Sequence, residues 1–346
     1  MQEFNPYPPM QRALLLAEIG LGSVAPNPMV GCVIMHDAQL IGEGYHRNYG
    51  EAHAEVNAIN SVKDKSLLSK SVLYVTLEPC SHIGKTPPCA DLIIAHKIKR
   101  VVVSCIDFNP LVAGKGIEKL RSDGIEVRTG LLRNEARKLN KRFFTFHEKK
   151  RPYIILKWAQ TKDGFISKHP PFSREENWIT NEKSNKLVHT WRTQEQAILV
   201  GTTTTLLDNP ALTVRLAEGR NPIRILIDKN LKVPLTNTIF SEEAETLVFT
   251  QKDKQNSSHI AYHKIDVTQD SISQILEALY HKEIISLIVE GGAHTLQSFI
   301  DKGLWDEARV FTGNKFFKEG VKAPILPKNK FSLEMIGQDE LSVSTR

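Results

Sequence analysis

The chain has 346 residues, 41% of them hydrophobic and 24% charged, which is the balance of a folded soluble protein and excludes a mainly disordered one. Its formal charge of +6 is spread without long runs of one sign, so nothing calls for nucleic acid, and a small phosphorylated substrate suits it equally well. No apolar run reaches the roughly 18 residues that span a bilayer, which excludes a transmembrane chain.

The N-terminal stretch lacks the pattern of a secretory signal. Four cysteines are too few for a disulfide scaffold, so the cytoplasm is the expected compartment. Domains run to roughly 100–200 residues, so about two are expected. In chain order, Met10, Ala13, Leu14 and Ala17 set a helical spacing over 10–20. Short β-branched runs at Val30–Met35, Ser71–Thr76 and Arg100–Cys105 read as strands. Helical patterns fall at His53–Val62, Pro88–Lys97 and Lys115–Arg121, and Leu131–Arg142 reads as one helix closing the unit. Strands alternating with helices predict an α/β layer fold.

Arg151-Pro152 disfavours helix, which places a boundary near 150 and gives domains of 1–150 and 151–346. The second half repeats the alternation. Strands are expected at Tyr153–Trp158, Ala197–Gly201, Ile223–Asp228, Thr246–Thr250 and Ile284–Glu290. Helices are expected near Glu182–Arg192, Ile272–Tyr280 and Thr295–Asp301.

The strongest chemical signal is His53-Ala54-Glu55, followed by EPCSHIGKTPPC from Glu78 to Cys89. One imidazole and two thiolates, His53, Cys80 and Cys89, make a plausible zinc set with the fourth tetrahedral position open to water. Zinc acidifies that water into a nucleophile. A carboxylate beside it, Glu55, then relays a proton to a leaving amine without being a ligand itself. Residues i and i+2 do not share a face in mid-helix, so His53 and Glu55 are expected in a first helical turn. Pro88 before Cys89 also suits a helix start, where the dipole favours a thiolate. Three alternatives stay open: inert thiols, a structural zinc with four protein ligands, and His82 between the thiols as a competing ligand. Cys32 and Cys105, in apolar runs, read as buried thiols.

H-A-E with P-C and a later Cys resembles the zinc-dependent cytidine deaminase superfamily. The eight residues between the thiols, with PNPMVGCV at Pro26–Val33, GEGYH at Gly42–His46 and NPLVAGKGI at Asn109–Ile117, resemble the bacterial riboflavin-biosynthesis deaminase. The resemblance implies a diaminopyrimidinone substrate carrying a phosphoribosylamino group. Asn27 and His46 would line its pocket, Lys85 would contact the phosphoribosyl part, and Asn109 is a weaker substrate contact.

The second half lacks the G-x-G-x-x-G fingerprint. It has an apolar strand running into Gly291-Gly292 and a helix start near His294, a weak phosphate-binding signal on its own. KWAQTKDGFIS at Lys157–Ser167, NWIT at Asn177–Thr180 and GTTTTLLDNPALTVR at Gly201–Arg215 resemble the riboflavin-pathway reductase. That resemblance implies a dihydrofolate-reductase-like domain using NADPH, beside a three-layer cytidine-deaminase-like domain. It implies that Ala159, Trp178, Thr204 and Asp208 contact the cofactor and that Gly292, Ala293, His294 and Thr295 hold its phosphates. Arg192, Leu212, Arg215 and Glu290 would face the sugar-phosphate substrate, the arginines through guanidinium forks. Glu176 stands where the family often has a substrate-contacting Ser, and Lys162 departs from the usual motif.

Together the halves resemble the bifunctional riboflavin-biosynthesis deaminase–reductases, which are usually homo-oligomeric and act on a small molecule, with no membrane or nucleic acid as partner. The implied sequence is deamination of 2,5-diamino-6-(5-phosphoribosylamino)pyrimidin-4(3H)-one, then NADPH-dependent reduction of ribosyl to ribityl. The residues identify no proton donor for the second step, for which Asp208 and Glu290 are the two candidates. Two rival readings are a tRNA-editing deaminase with an accessory domain and a structural zinc module that scaffolds the second half.

Overall fold

Alternation of side chains along short β-branched strands builds the first of two units, residues 1–149 and 150–346, in this computed structural model. The structure describes residues 7–81, 87–108, 113–170, 173–328 and 330–346. The first unit runs α1 (Tyr7–Glu18), β1 (Gly31–His36), β2 (Gln39–Tyr45), α2 (Ala54–Ser61), β3 (Val72–Leu77), α3 (Cys89–Ala95), β4 (Arg100–Cys105), α4 (Lys115–Ser122), β5 (Glu126–Thr129), α5 (Arg133–Leu139) and α6 (Lys141–Lys149). The strands form one sheet in the order β2-β1-β3-β4-β5. β1 is antiparallel to both its neighbours, and β3, β4 and β5 are parallel.

Cys32, Ile34, Leu73, Val75, Val101 and Val103 point to one face of this sheet, where Ala54, Ala58 and Ile59 of α2, Ala90 and Ile93 of α3, and Ile117 and Leu120 of α4 cover them. The intervening Val33, Tyr74 and Val102 point the other way, onto Met10, Ala13 and Leu16 of α1. The period-2 pattern thus buries both faces, and the unit is a three-layer α/β/α sandwich. The single helix expected at Leu131–Arg142 is instead two helices, α5 and α6, with Asn140 between them. The Asn140 side chain turns inward to the backbone of Met29, which separates two segments that the sequence pattern joins.

The second unit runs β6 (Tyr153–Thr161), β7 (Phe165–Ser167), α7 (Arg174–Asn177), α8 (Glu182–Gln194), β8 (Ala197–Gly201), α9 (Thr202–Asp208), β9 (Ile223–Ile227), β10 (Thr246–Thr250), β11 (Ile260–Lys264), α10 (Ser271–His281), β12 (Ser286–Val289), α11 (Ala293–Asp301), β13 (Glu307–Gly313), β14 (Val321–Lys322), β15 (Phe331–Ile336) and β16 (Asp339–Thr345). Nine strands form a sheet in the order β11-β10-β9-β8-β12-β6-β13-β16-β15. The first seven in that order are mutually parallel, and β16 and β15 add on antiparallel. Ile154, Leu156, Leu199, Leu287 and Val289 pack against α10 and α11 through Ile275, Leu279, Leu296 and Phe299. Tyr153, Ile155, Ile198, Val200 and Ile288 pack against Val188 and Trp191 of α8. Among the described residues no helix is long and apolar enough to cross a membrane.

Candidate functional site

His53 is the N-cap of α2 and Glu55 lies in its first turn, as the i, i+2 argument requires. Pro88 caps α3, and Cys89 is its first residue. These starts, with Cys80 beyond the end of β3, bring the His53 Nδ1 atom within 3.6 Å of Cys80 Sγ and 3.3 Å of Cys89 Sγ. All three ligand atoms lie within 4.8 Å of one another. Bonds of about 2.3 Å to sulfur and about 2.0–2.1 Å to nitrogen at a tetrahedral angle put S and N about 3.6 Å apart, so the donor set fits a zinc ion.

Glu55 is buried, its carboxylate within hydrogen-bonding reach of the Cys89 thiol. Burial first, and then the Cys80 thiolate, push its pKa up to about 7. The two thiols diverge: hydrogen bonding from Cys89 holds Cys80 well down, while that shared proton and burial push Cys89 up. The helix start therefore acts on the neighbouring sulfur rather than on its own residue, because the Cys89 backbone N–H donates to Cys80 Sγ at 3.3 Å. Cys32 and Cys105 are buried and free, as expected.

Asn27 and His46 come together beside the triad. Asn27 Nδ2 lies 3.2 Å from His46 Nε2, and the His46 ring stands edge-on to that of His53, with centroids 5.4 Å apart. His46 Nδ1 faces the Ala52 carbonyl at 3.1 Å. A carbonyl only accepts, so Nδ1 carries the proton and Nε2 accepts from Asn27. Burial keeps His46 below the ordinary histidine range. Asn57, which sequence reasoning missed, donates to Tyr45 O and to the same Ala52 O. Lys85, Asn109 and His82 lie outside the described residues.

Glu78 opens the EPCSHIGKTPPC motif. It is buried, and its two carboxylate oxygens accept from the backbone N–H groups of Asp107, Gly114, Gly116 and Ile117 at 2.9–3.2 Å. It thereby ties the start of α4 to the segment that carries Cys80. Gly116 has to be glycine for this approach, since a Cβ there would lie 1.9 Å from the Pro79 carbonyl oxygen.

In the second unit, β8, β12 and β6 are parallel neighbours. Carboxyl ends of such strands are where ligands gather in open α/β sheets. Gly201 ends β8, and Gly291 and Gly292 follow β12. An added Cβ would meet Thr295 Oγ1 at 2.9 Å from Gly201, Thr295 Cβ at 3.1 Å from Gly291 and Thr204 Oγ1 at 3.0 Å from Gly292. Gly292 caps α11 without a side-chain hydrogen bond, and Ala293, His294 and Thr295 form its first turn. This makes a small-residue cradle with backbone N–H groups at a helix start, which fits a phosphate. Ala159 sits partly buried on β6, Trp178 is 38% exposed with its Nε1–H donated to Thr180 O, and Asp208 is exposed at the end of α9.

A second cluster forms around Glu290. Arg192 Nη2 donates to Glu290 Oε2 at 3.0 Å and Nη1 to Thr213 O at 3.1 Å. Lys157 Nζ is 3.8 Å from Glu290 Oε1. Arg215 Nη1 reaches Thr213 Oγ1, and its backbone N–H donates to His189 Nδ1 at 3.0 Å. Leu212, buried with φ 56, lies next to Thr213. Arg192 is thus not an open fork, since both its Nη atoms are engaged within the protein. Among the described residues, Arg192 Nε and Glu290 Oε1 are buried without a hydrogen-bond partner, as are His36 Nδ1 and His263 Nε2 elsewhere, and Oε1 faces the Lys157 ammonium. Arg192 and Lys157 hold Glu290 below the usual range despite burial. Lys157 and His189 are additions that the sequence motif did not single out. Glu176 is exposed, its carboxylate accepting from Ser173 N at 2.8 Å in a local cap, and Lys162 is exposed, with its N–H on Lys315 O.

Residues 9–105 match the cytidine and deoxycytidylate deaminase zinc-binding region, and residues 152–332 match the RibD C-terminal domain. The riboflavin biosynthesis protein RibD of Aquifex aeolicus is 44% identical over 317 residues, covering 90% of this chain and 88% of that protein. The Escherichia coli RibD is 39% identical over 326 residues, covering 88% and 87%. A Thermotoga maritima crystal structure, described as a diaminohydroxyphosphoribosylaminopyrimidine deaminase/5-amino-6-(5-phosphoribosylamino)uracil reductase, superposes with a TM-score of 0.89 at 40% identity, covering 98% of each chain.

Proposed function

The chain belongs to the RibD family, bifunctional deaminase–reductases of riboflavin biosynthesis, and from that premise we propose how its two sites divide the work. The first unit deaminates 2,5-diamino-6-(5-phosphoribosylamino)pyrimidin-4(3H)-one. The second then reduces the ribosyl group to ribityl with NADPH. The observation that carries the reading is the convergence of His53, Cys80 and Cys89 beside the buried Glu55.

His53 Nδ1 and the two sulfurs would hold zinc, which would supply Lewis acidity toward a water molecule. Glu55 takes a proton as water adds to C2 of the pyrimidinone and returns it to the amine that leaves as ammonia. Its burial within reach of Cys89 keeps the carboxylate beside the ligand set, where one group can both accept and release the proton. Asn27 and His46, already paired, orient the ring, with Lys85 and Asn109 as further contacts.

In the second unit the glycine cradle and the start of α11 hold the phosphates of NADPH, with Ala159, Trp178, Thr204 and Asp208 along the cofactor. When bound, the cofactor would supply the hydride that turns ribosyl into ribityl at C1′ of the ring-opened sugar. Glu290, Arg192, Arg215 and Leu212 bind the substrate. Glu290, held below the usual carboxylate range by Arg192 and Lys157, is a charged contact rather than an acid, which leaves Asp208 as the candidate proton donor. Choosing NADPH over NADH rests on the family resemblance.

Similarity along nearly the whole chain to RibD proteins disfavours a nucleic-acid-editing role. The cytoplasm as the site of action is supported by the four free cysteines. A homo-oligomer is supported by the edge strand β15, which exposes Phe331, Leu333 and Met335 on alternate positions. The test of the function supplies the phosphoribosyl diaminopyrimidine with and without NADPH and follows ammonia and nicotinamide absorbance together. Ammonia is expected in both arms and NADPH oxidation only after it. Absence of ammonia from zinc-loaded protein would overturn the reading.

A further inference from the structure

Asn140 lies between α5 and α6, 2% exposed, and its carboxamide pairs in both directions with one distant residue. Its Oδ1 accepts from Met29 N at 2.8 Å and its Nδ2 donates to Met29 O at 2.8 Å. Met29 precedes β1 and has no strand partner of its own, so the side chain stands in for a neighbouring strand. The residues that follow are fixed separately: His46 N donates to Val30 O at 2.9 Å and Gly31 N to Thr76 Oγ1 at 3.1 Å. On the other side, Asn27 N donates to Val24 O at 2.9 Å. Around Met29 the apolar contacts are Ala17, Val24, Leu21 and Leu139, the residue preceding Asn140.

Only Pro28 separates Met29 from Asn27. A proline ring locks its own φ and restricts the residue before it. With that torsion fixed and Asn27 restricted, displacement of the Met29 backbone has fewer torsions to absorb it before it reaches Asn27. Asn27 is the residue whose Nδ2 meets His46 Nε2 beside His53.

We propose that Asn140 is a positioning residue of the deaminase site, which sets Asn27 for the pyrimidine through the stiff Asn27-Pro28-Met29 link. The proposal rests on Asn27 contacting the substrate, as in the proposed function. Asn140 makes no contact with the metal triad in the structure, so it acts on substrate binding and leaves the metal alone.

The test is a double-mutant cycle in the full-length zinc-loaded protein, with Asn27→Ala, Asn140→Ala and the pair together. Asn140→Ser, which retains one polar atom, serves as a milder second variant. Ammonia release gives kcat and KM for the deaminase. Zinc content and NADPH oxidation of supplied deaminated substrate report on the integrity of the chain. Asn140→Ala is expected to raise the deaminase KM by about threefold to about tenfold, the range of one net hydrogen bond. kcat, zinc content and the reductase should change little. In the Asn27→Ala background the same change should add less than about twofold, since residues that act as a unit are not additive.

A KM effect of Asn140→Ala that multiplies in full onto an effective Asn27→Ala would overturn the proposal while leaving the substrate role of Asn27 intact. So would a lowered Tm in both Asn140 variants with KM unchanged. A silent Asn27→Ala would overturn the substrate role itself and the proposal with it.

Discussion

The backbone N–H of Cys89 donates to the sulfur of Cys80 at 3.3 Å, so the helix start that carries one thiol also holds the other. Cys80 is partly exposed, whereas Cys32, Cys89 and Cys105 are buried. After chelation, iodoacetamide should therefore alkylate Cys80 first, and added zinc should protect it. Peptide mapping checks the order. Equal labelling of Cys80 with and without zinc would count against Cys80 as a ligand.

Gly116→Ala should damage the metal centre from a distance. The new methyl would lie 1.9 Å from the Pro79 carbonyl oxygen, and backbone there cannot yield without moving Cys80. Overpacking of this kind costs about 1–3 kcal/mol. Thermal unfolding and zinc content are expected to fall together, with the reductase kinetics of the surviving protein unchanged.

In the second unit, Arg192 joins Glu290 to the Thr213 carbonyl through two nitrogens of one plane. Lysine offers a point charge and cannot make both bonds at those separations. Arg192→Lys should lower the reductase kcat/KM for the deaminated substrate by about tenfold or more, the cost of about 1.4 kcal/mol of lost binding. Ammonia release should be untouched. Steady-state assays of both half-reactions on one preparation check the split.

His189 is buried and accepts from Arg215 N. Burial first, then Arg192, Arg215 and Lys157, against the opposing pull of Glu290, lower its pKa to about 4. The unfolded chain binds a proton at about 6.5, before the folded one does. Stability is thus complete above about 6.5 and is lost as pH falls toward 4. Urea midpoints of the second unit should drop over that window in the wild type. His189→Gln should show a shallower drop. Parallel curves would show that His189 does not govern this acid sensitivity.

Much of the core was legible because hydrophobic period and strand length agree: Arg100–Cys105, Ala197–Gly201 and Thr246–Thr250 are strands at the residues expected. β2 was hidden because QLIGEGY carries Gly42 and Gly44, poor strand residues that are there because α2 packs directly on them. α9 was hidden by its threonines, β15 by a mixture of polar and apolar residues that an edge tolerates, and β16, between β13 and β15, by a similar mixture. At the metal centre, the spacing of His53, Glu55, Cys80 and Cys89 carried the chemistry, and the structure brings these side chains together. Asn140, Glu78, Asn57 and His189 were illegible for one shared reason. Each acts through backbone groups outside its own segment, and a sequence pattern registers side-chain types but not which backbone atoms they will meet.

The most direct measurement is Glu55→Gln in the full chain, with zinc content, ammonia release and NADPH oxidation followed on one sample. The amide keeps the shape of the carboxylate but cannot relay a proton. Zinc is expected to stay bound, deamination to fall by about 10²–10⁴-fold, and reduction of supplied deaminated substrate to continue at the wild-type rate. A zinc-loaded Glu55→Gln protein that releases ammonia as fast as the wild type would contradict the account.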